Sequence, residues 1–285
     1  MSTKTSPVWF VTGASQGLGL SLARELLAAG HRVAATSRSL GDLTRELGGA
    51  TDHLLPLQVD LVNEASVAAA VQAALRQLGD LHVVVNNAGY GQFGTAEEVT
   101  DTEARRNFDV NVFGALNVLR ATLPHLRERR AGHVFNISSV GGYVGGFSGW
   151  GVYCATKFAL AGLTESLHAD LTPFGIRTTL VYPGYFRTAF LSQGSMGQPS
   201  QPIAAYAAAR ASHAQHTEQI AGHQLGDPAK AARALIAVYG QAAPPLHLFL
   251  GSDAVAMAER KIAEVQADLA AARALSIGTD YQDAR

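Results

Sequence analysis

Short apolar segments alternate with longer amphipathic segments along most of the chain, and this alternation limits the folds open to it. The short segments are rich in β-branched residues and predict seven strands: Val8–Thr12, Arg32–Ser37, Leu54–Val59, Leu81–Asn86, His133–Ser138, Arg177–Tyr182 and Leu246–Leu250. Segments such as Leu18–Ala29 and Glu64–Leu78 predict the helices between them. Because such helices join parallel strands by right-handed crossovers, we expect an α/β fold with a doubly wound parallel sheet of about seven strands.

No internal repeat or linker divides the 285 residues, so we expect a single domain covering residues 1–285. Ser192–Gly226 differs in composition, being rich in Gly, Ser, Gln, Pro and Ala and carrying three histidines. We expect no strand there and interpret residues 187–226 as a substrate lobe or lid. Ala254–Ala274 predicts a helix, and Ser276–Arg285 is expected to be frayed or packed on a partner.

Composition excludes several classes of partner. With 22 basic and 23 acidic residues, the net charge of −1 argues against nucleic acid or an anionic membrane as the main partner. The single Cys154 excludes an intrachain disulfide and fits a reducing compartment. Met1–Pro7 is polar, Val8–Val11 is too short for a signal-peptide core, and no apolar run reaches the ~20 residues of a membrane span. We therefore expect a cytoplasmic protein.

A glycine-rich loop follows the first predicted strand directly and has the sequence Gly13-Ala14-Ser15-Gln16-Gly17-Leu18-Gly19. Glycines there allow a tight turn, let backbone N–H groups approach a diphosphate, and let the next helix pack closely on the sheet. The positive end of that helix would favour phosphate. A simple turn is the alternative, but the position at the first strand-to-helix junction favours nucleotide binding.

Four motifs resemble those of the short-chain dehydrogenase/reductase family, in the family's order. Thr12–Gly19 is similar to T-G-x-x-x-G-x-G, Asn86–Gly89 to N-N-A-G, Tyr153–Lys157 to Y-x-x-x-K, and Pro183-Gly184 with Thr188 to P-G-x-x-x-T. The resemblance implies a Rossmann-like oxidoreductase with a nicotinamide cofactor. The runs Ser139–Gly142 and Val152–Leu160 are similar to the hydroxysteroid- and retinol-dehydrogenase-like branch, which implies a hydrophobic substrate.

The resemblance also implies which residues hold the cofactor. Together with Ser37 and Arg38, they are Gly13, Ser15, Gln16, Gly17, Leu18, Gly19, Asp60, Leu61, Asn87, Ala88, Gly89, Tyr153, Lys157, Pro183, Gly184, Phe186 and Thr188. Asp60 is expected to bond the adenine amino group, although it could equally cap the helix that begins near Asn63. Thr188 is expected to bond the nicotinamide carboxamide.

The end of the second strand indicates which nicotinamide cofactor is used. An acidic residue there would bond the ribose hydroxyls of NAD(H) and repel a 2′-phosphate. This chain has Ser37 and Arg38 instead, and a guanidinium can pair with a phosphate, although Arg38 could also be an ordinary solvated residue. We therefore predict NADP(H). Gln16 stands where many NADP-using members of the family carry a basic residue, so NAD(H) stays the alternative.

Tyr153 and Lys157 form the predicted catalytic pair. Their i, i+4 spacing places both on one face of a helix. A phenol with a pKa near 10 is a poor acid–base catalyst at neutral pH, and the Lys157 ammonium together with the positive nicotinamide ring of the oxidised cofactor is expected to lower that pKa. Tyr153 would then give a proton to the carbonyl oxygen in reduction and accept one in oxidation. The resemblance implies that Lys157 also holds the nicotinamide ribose.

Two further residues complete the predicted site. The resemblance implies that Ser139 bonds the substrate oxygen, with Ser138 as the alternative; its distance of 14 positions to Tyr153 is one more than in close family members. Asn111 lies in the predicted helical stretch Glu103–Leu123 and resembles the helix Asn whose main chain holds a water leading to the lysine. A structural Asn is the alternative.

Other signals favour ordinary roles. His213, His216 and His223 tempt a metal interpretation, but no accompanying carboxylate motif supports it, so we expect no metal. We interpret Cys154 as a packing residue. The aromatic residues that could line an apolar substrate site or belong to the core are Tyr143, Phe147, Trp150, Tyr185 and Phe186.

The sequence therefore predicts an NADP(H)-dependent oxidoreductase that interconverts a hydrophobic ketone or aldehyde and an alcohol. The alternatives are a non-catalytic NADP-binding redox regulator and a sugar-nucleotide epimerase or dehydratase. We also expect a homodimer or homotetramer, because Glu103–Leu123 and the helix from Tyr153 to Asp170 resemble the family's pairing helices.

Overall fold

Parallel strands form the central sheet of the protein. The structure is a computed structural model that describes residues 6–191 and 195–281. Its strands are β1 (Val8–Val11), β2 (Arg32–Ser37), β3 (Leu54–Gln58), β4 (Val83–Asn86), β5 (Gly91–Gln92), β6 (Gly132–Ile137), β7 (Ile176–Pro183), β8 (Met196–Gly197) and β9 (His247–Leu250). Seven of them form one parallel sheet in the order β3-β2-β1-β4-β6-β7-β9. The strand order reverses between β1 and β4, where open α/β sheets bind ligands.

The predicted strands are all present, with ends that differ from the prediction by at most two residues. They form because their residues are apolar and because the sheet buries them on both faces; every residue of Val8–Val11 and Val83–Asn86 is buried. The α/β, doubly wound, Rossmann-like fold expected from the alternation is confirmed.

Helices cover both faces of this sheet. They are α1 (Gly17–Ala28), α2 (Leu40–Leu47), α3 (Glu64–Leu78), α4 (Asp101–Phe108), α5 (Gly114–Arg129), α6 (Gly151–Leu171), α7 (Ala207–Ala214), α8 (Pro228–Tyr239) and α9 (Ser252–Ile277). On one face, Leu22 of α1 and Leu235 of α8 pack in a core with strand residues. On the other face, Val71 of α3, Leu126 of α5 and Leu167 of α6 do the same.

One predicted helix differs from the prediction in its interior. The stretch Glu103–Leu123 belongs to α4 and α5, and a π-helical segment, Asp109–Phe113, joins the two. The wider i→i+5 turn inserts a bulge, and such bulges are frequent at functional sites. Asn111 lies in this bulge.

The segment after β7 contains a strand that the sequence does not predict. Met196–Gly197 pairs in parallel with Gly91–Gln92, so the expectation of no strand in Ser192–Gly226 is wrong. Two residues are too few to give a period-2 pattern, which is why composition alone misses this strand. A second π-helical segment, Gln215–Ile220, follows α7.

Acidic side chains of the segment before α4 hold the predicted lobe against the body. Glu98 accepts hydrogen bonds from the backbone N–H of Ile203, at 2.7 Å, and from the guanidinium of Arg210. Glu97 accepts a hydrogen bond of 2.6 Å from the Tyr206 hydroxyl. These contacts connect positions more than 100 residues apart and hold this part of the lobe against the segment before α4.

The chain ends in the long helix α9, which is largely exposed beyond Ala258. The predicted Ala254–Ala274 helix is therefore confirmed and extends to Ile277. The last residues of the stretch expected to be frayed, 282–285, lie outside the described residues. Across residues 6–191 and 195–281, no helix is long and apolar enough to span a membrane.

Candidate active site

The glycine loop joins β1 to α1 in a conformation that its glycines require. Gly13 has a φ of +67°, and a methyl group on it would lie 2.9 Å from Cα of Ala88. A methyl group on Gly19 would lie 2.4 Å from Nδ2 of Asn87 and from the Gly13 carbonyl oxygen. The loop therefore packs against the segment after β4, and larger residues at these two positions would push them apart.

Thr12 and Asn87 lock these two segments together. The Thr12 hydroxyl accepts hydrogen bonds from the backbone N–H groups of Asn87, at 3.0 Å, and Ala88, at 3.1 Å. The Asn87 amide donates to the carbonyl oxygens of Thr12, at 2.9 Å, and Gly13, at 3.1 Å. Two of the sequence motifs thus form one rigid edge at the switch point between β1 and β4.

At the end of β2, the Ser37 hydroxyl donates a hydrogen bond of 2.9 Å to the Ser15 hydroxyl. Arg38, the next residue, is exposed and lines the same cavity as both serines. Asp60 also lines this cavity, and its carboxylate accepts a hydrogen bond from the Val62 N–H. The N-cap of α3 is Asn63 rather than Asp60, because the Asn63 side chain accepts from the Ser66 N–H.

The predicted catalytic side chains meet at the opposite end of the same cavity. The Ser139 hydroxyl caps the short turn Val140–Gly142 by accepting from the Gly141 N–H, and it hydrogen-bonds the Tyr153 side chain. The Ser138 hydroxyl instead donates to the carbonyl oxygen of Lys157, at 2.9 Å. Of the two serines, the structure therefore brings Ser139 to the phenol.

Burial raises the pKa of Tyr153 above its ordinary value, and the hydrogen bond with Ser139 opposes that rise. The lowered pKa expected from Lys157 is therefore not found in the protein alone. The reason is geometric: the ammonium lies 5.9 Å from the centroid of the Tyr153 ring and donates its hydrogen bond elsewhere. In the protein alone, the phenol is therefore protonated at neutral pH.

Lys157 is itself buried. Its Nζ donates a hydrogen bond of 2.9 Å to the carbonyl oxygen of Ile137, at the end of β6. Burial lowers the pKa of Lys157 to about 8. The lysine is thus mostly charged at neutral pH and loses its proton at a lower pH than an exposed lysine.

Asn111 supports the site from behind and does not line the cavity. It is buried, and its amide clamps the main chain of Tyr90: Nδ2 donates to the Tyr90 carbonyl and Oδ1 accepts from the Tyr90 N–H, both at 3.0 Å. Nδ2 also donates to the Thr156 hydroxyl at 3.0 Å. The π-helical bulge therefore connects the loop after β4 to α6, which carries Tyr153 and Lys157.

One cavity of about 420 Å³ joins the two ends of the site. It runs along the carboxyl edge of the sheet, and it is lined by every residue predicted to hold the cofactor except Gly19. Gly19 instead permits the close packing of the loop described above. Among the aromatic residues, Phe147, Trp150, Tyr185 and Phe186 line the cavity, whereas Tyr143 makes edge-on contacts with the rings of Tyr182 and Phe249.

Comparison with known proteins identifies the class of the chain. The sequence pattern of the family described as short chain dehydrogenase matches residues 7–199. The chain belongs to the short-chain dehydrogenase/reductase family. The family expected from the four motifs is confirmed, and this short-chain dehydrogenase/reductase is an oxidoreductase.

Two named proteins match the sequence of this dehydrogenase/reductase over most of its length. Oxidoreductase BOA17 of Botryotinia fuckeliana is 33% identical over 90% of this chain and 93% of its own length. A 3-alpha-(or 20-beta)-hydroxysteroid dehydrogenase of Mycobacterium bovis is 38% identical over 64% of this chain and 69% of its own length.

Solved structures show the same fold. A short-chain dehydrogenase from Streptomyces avermitilis has a TM-score of 0.89 at 38% identity and covers 98% of this chain and 100% of its own. A Burkholderia phymatum short-chain dehydrogenase/reductase in complex with NAD has a TM-score of 0.78 at 25% identity over 93% and 97% of the two chains. A Burkholderia cenocepacia short-chain dehydrogenase in complex with NADP has a TM-score of 0.71 at 27% identity and covers 93% of this chain and 96% of its own.

The sequence did not predict two polar contacts of this dehydrogenase/reductase. The Gln16 amide donates a hydrogen bond of 3.0 Å to the hydroxyl of Ser195, a buried residue of the lobe that also lines the cavity. The Tyr185 hydroxyl and Nε2 of His216 lie 2.8 Å apart. No motif marks Ser195, and His216 was visible in the sequence only as one of three histidines without a pattern.

The three histidines of the lobe do not converge. His216 is buried, whereas His213 bonds the Gln198 amide at 2.7 Å and His223 is exposed. Cys154 is buried, and burial raises the pKa of its thiol to about 11, which disfavours the nucleophilic thiolate.

Proposed function

We propose that the chain is an NADP(H)-dependent oxidoreductase that interconverts a ketone or aldehyde and an alcohol. The observation that carries the proposal is one continuous cavity. One end holds the bonded pair Ser15 and Ser37 beside Arg38, and the other holds Ser139, Tyr153 and Lys157. An extended dinucleotide laid along the glycine loop would bring its reactive ring to the second end.

The residues of the cavity fit such a cofactor. The glycine loop leaves a cradle at the first turn of α1, where backbone N–H groups favour phosphate. Among the described residues, the Ile137 carbonyl is the acceptor that bonds the Lys157 ammonium, and an ammonium has three hydrogens. Lys157 therefore has donors left for ribose hydroxyls.

The protein supplies the proton and the orientation of the substrate. The nicotinamide, when bound, supplies or accepts the hydride. In reduction, the Ser139 hydroxyl holds the substrate oxygen, and the Tyr153 O–H gives its proton to that oxygen as the carbon takes the hydride. In oxidation the phenolate oxygen accepts the proton. The charge of Lys157 favours the phenolate after transfer.

The choice of NADP(H) over NAD(H) is supported by the end of β2. No acidic side chain stands at Ser37 or Arg38 to repel a 2′-phosphate. The Arg38 guanidinium forms no ion pair with any residue that the structure describes, which leaves it free for a phosphate. The solved relatives include one with NADP and one with NAD, so the family alone does not decide.

The lining of the substrate end supports an apolar substrate. The rings of Trp150 and Phe190 lie 6.1 Å and 5.6 Å from the Tyr153 ring, and Phe147 and Leu191 line the same cavity. A flat or branched apolar ketone would bury its carbon skeleton there. The hydroxysteroid dehydrogenase among the relatives is consistent with such a substrate.

We also propose that the protein acts as a homodimer or homotetramer. The two helical regions expected to pair carry exposed aromatic side chains: Phe113 is 51% exposed and Phe158 is 44% exposed. Such rings on helix surfaces are typical of residues buried by a second copy.

A single experiment tests the reaction. Ketones, aldehydes and alcohols of graded size are incubated with NADPH, NADP, NADH and NAD, and the nicotinamide absorbance is followed. We expect turnover of apolar ketones with NADPH. An enzyme that binds NADPH but turns over no member of the panel would favour a non-catalytic role.

A further inference from the structure

Tyr185 and His216 form a partly buried polar pair, and both line the cavity, as do the neighbouring polar residues Ser195 and Gln224. Their polar atoms, the Tyr185 hydroxyl and Nε2 of His216, lie 2.8 Å apart. His216 is 7% exposed and belongs to the π-helical segment Gln215–Ile220. The reaction proposed above uses neither side chain.

The hydrogen positions of this pair follow from its partners. Nδ1 of His216 lies 2.7 Å from the carbonyl oxygen of Ser212, which can only accept, so Nδ1 carries the hydrogen. In a neutral imidazole the other nitrogen, Nε2, is then an acceptor. Tyr185 must therefore donate its O–H to His216. Its oxygen is left with lone pairs alone to offer to the cavity.

Two hydrogen bonds also hold the main chain of Tyr185 in place. The backbone N–H of Tyr185 donates a hydrogen bond of 2.7 Å to the Asp253 carboxylate in the first turn of α9. The Tyr185 carbonyl accepts from the Gly226 N–H at 3.0 Å. These two bonds fix the main chain of Tyr185, and the bond to His216 fixes its hydroxyl, so the residue selects among ligands instead of adapting to them.

Tyr185 stays a neutral phenol in this environment. Burial, together with the Asp253 carboxylate and Cys154, raises the pKa of Tyr185 to about 12. The same carboxylate disfavours an anionic ligand group nearby. A neutral hydrogen-bond donor is the group that this position accepts best.

Trp150 lies close both to the catalytic phenol and to the polar pair. Its ring centroid is 6.1 Å from that of Tyr153 and 5.0 Å from that of His216. A substrate whose carbonyl meets Tyr153 would therefore extend along Trp150 towards Tyr185.

We propose that Tyr185, oriented by His216, determines specificity by accepting a hydrogen bond from a hydroxyl group of the substrate. The preferred substrates are then apolar hydroxyketones, or the corresponding diols in oxidation. This inference rests on the proposed function, because it assumes that the carbonyl group lies at Tyr153. Tyr185 touches the substrate, and His216 is a positioning residue.

The test compares matched substrates. The panel contains 2-decanone, its isomers with one hydroxyl group at successive carbons, and the methyl ether of each isomer. We expect at least one hydroxyketone to exceed 2-decanone in kcat/KM by about tenfold, the value of one hydrogen bond in a buried site, and its methyl ether to lose that advantage. The ether keeps an acceptor oxygen but has no donor hydrogen, so it tests whether the substrate must donate the hydrogen bond.

Variants then assign the preference to the pair. Tyr185→Phe should bring the ratio of hydroxyketone to parent close to one, and a general change of the cavity cancels from this ratio. The double variant Tyr185→Phe/His216→Phe removes both partners and leaves no unpaired buried nitrogen. Its ratio of hydroxyketone to parent ketone can therefore be measured even if the single variant folds poorly. Tyr206→Phe is the matched control, because its hydroxyl bonds Glu97 outside the cavity; it should keep the wild-type ratio.

Binding separates the two proposals. Calorimetric titration of a Tyr153→Phe enzyme with the same ketones, in the presence of NADPH, measures the preference without turnover. Binding preference without any wild-type turnover would refute the proposed reaction and retain the role of Tyr185. A ratio that is equal in wild type and Tyr185→Phe, or a methyl ether that binds as well as the alcohol, would refute the role of Tyr185 and leave the reaction standing.

Discussion

The hydroxyl of Ser37 donates a hydrogen bond of 2.9 Å to the hydroxyl of Ser15, and this bond joins the end of β2 to the glycine loop. Both oxygens face the end of the cavity where Arg38 is exposed. Any group bound between β2 and the loop must therefore meet two hydroxyls and one guanidinium. This arrangement is suited to a phosphate and makes cofactor choice sensitive to single substitutions.

Ser37→Asp should shift preference from NADP towards NAD. The new carboxylate would repel the 2′-phosphate and accept hydrogen bonds from ribose hydroxyls. The measurement is kcat/KM with each cofactor. A wild type that already prefers NAD would contradict the assignment.

Arg38→Leu should weaken NADP binding and spare NAD, because it removes a charge-assisted contact worth roughly 1.5–3 kcal/mol. Its effect should not add to that of Ser37→Asp, since both act on the same phosphate. Arg76→Leu, on the exposed surface of α3, is the control and should change neither affinity. An equal loss of affinity for NADP and for NAD would show that Arg38 has a structural role and does not bind the 2′-phosphate.

Tyr153→Phe should lower kcat by about 10²–10⁴-fold while cofactor affinity stays close to that of the wild type, since the hydroxyl is needed for proton transfer. Stopped-flow kinetics and titration of cofactor fluorescence measure the two quantities. Tyr143→Phe removes a hydroxyl from the core side of the same region and should keep turnover. Near-wild-type rates in Tyr153→Phe would mean that another group is the acid.

The affinity for the cofactor should fall as pH rises through about 8, the lowered pKa of Lys157. Below that pH the side chain is an ammonium with hydrogens for the ribose; above it, the charge and one donor hydrogen are lost. Dissociation constants between pH 7 and 9.5 test this. In Lys157→Met the affinity should be weaker and this pH dependence absent, and a variant that keeps the same profile would assign it to another group.

Much of the site was predictable from the sequence because its parts are local. Each motif lies at the carboxyl end of a strand or in the first turns of a helix, and parallel strands bring those ends to one edge. Gly13 and Tyr153 thus line one cavity although 140 positions separate them. The roles of these residues stay predictions until they are tested.

What the sequence could not reveal depends on tertiary packing. The bond between Gln16 and Ser195 joins residues 179 positions apart, with no pattern at either end. The π-helical bulge at Asn111 has the same apolar spacing as an ordinary helix. In the protein alone, burial raises the pKa of Tyr153, and the extent of burial follows from the fold, not from the i, i+4 spacing.

The oligomer should depend on the exposed rings of Phe113 and Phe158. Light scattering at micromolar concentration should show a dimer or tetramer, and Phe158→Asp should shift it to smaller species because a carboxylate is costly to bury. Leu275→Asp, on α9, tests a different exposed apolar surface and should leave the assembly unchanged. A monomeric wild type would remove the proposal.

Glu98 should hold the lobe closed against the body only while it is ionised. Burial alone would raise its pKa, but hydrogen bonds from Thr95 and Ile203 and the charge of Arg210 outweigh burial and lower the pKa to about 2. A carboxylate with a lowered pKa stabilises the folded state above its unfolded pKa of ~4.3, and that contribution is lost as pH falls from there towards 2. Glu98→Gln should therefore cost roughly 1.5–3 kcal/mol at pH 7, and the difference from wild type should shrink in acid.

Urea unfolding at several values between pH 3 and 7 measures that difference, and limited proteolysis of the lobe shows where the loss occurs. Glu97→Gln is the control, because Glu97 bonds the exposed Tyr206 hydroxyl and should contribute less than 1 kcal/mol. Cleavage should begin in the segment around Ile203 and Arg210, because the hydrogen bond of one and the ion pair of the other lose the negative charge of Glu98. A difference between Glu98→Gln and wild type that stays constant down to pH 3, or cleavage that begins elsewhere, would show that the carboxylate does not anchor the lobe.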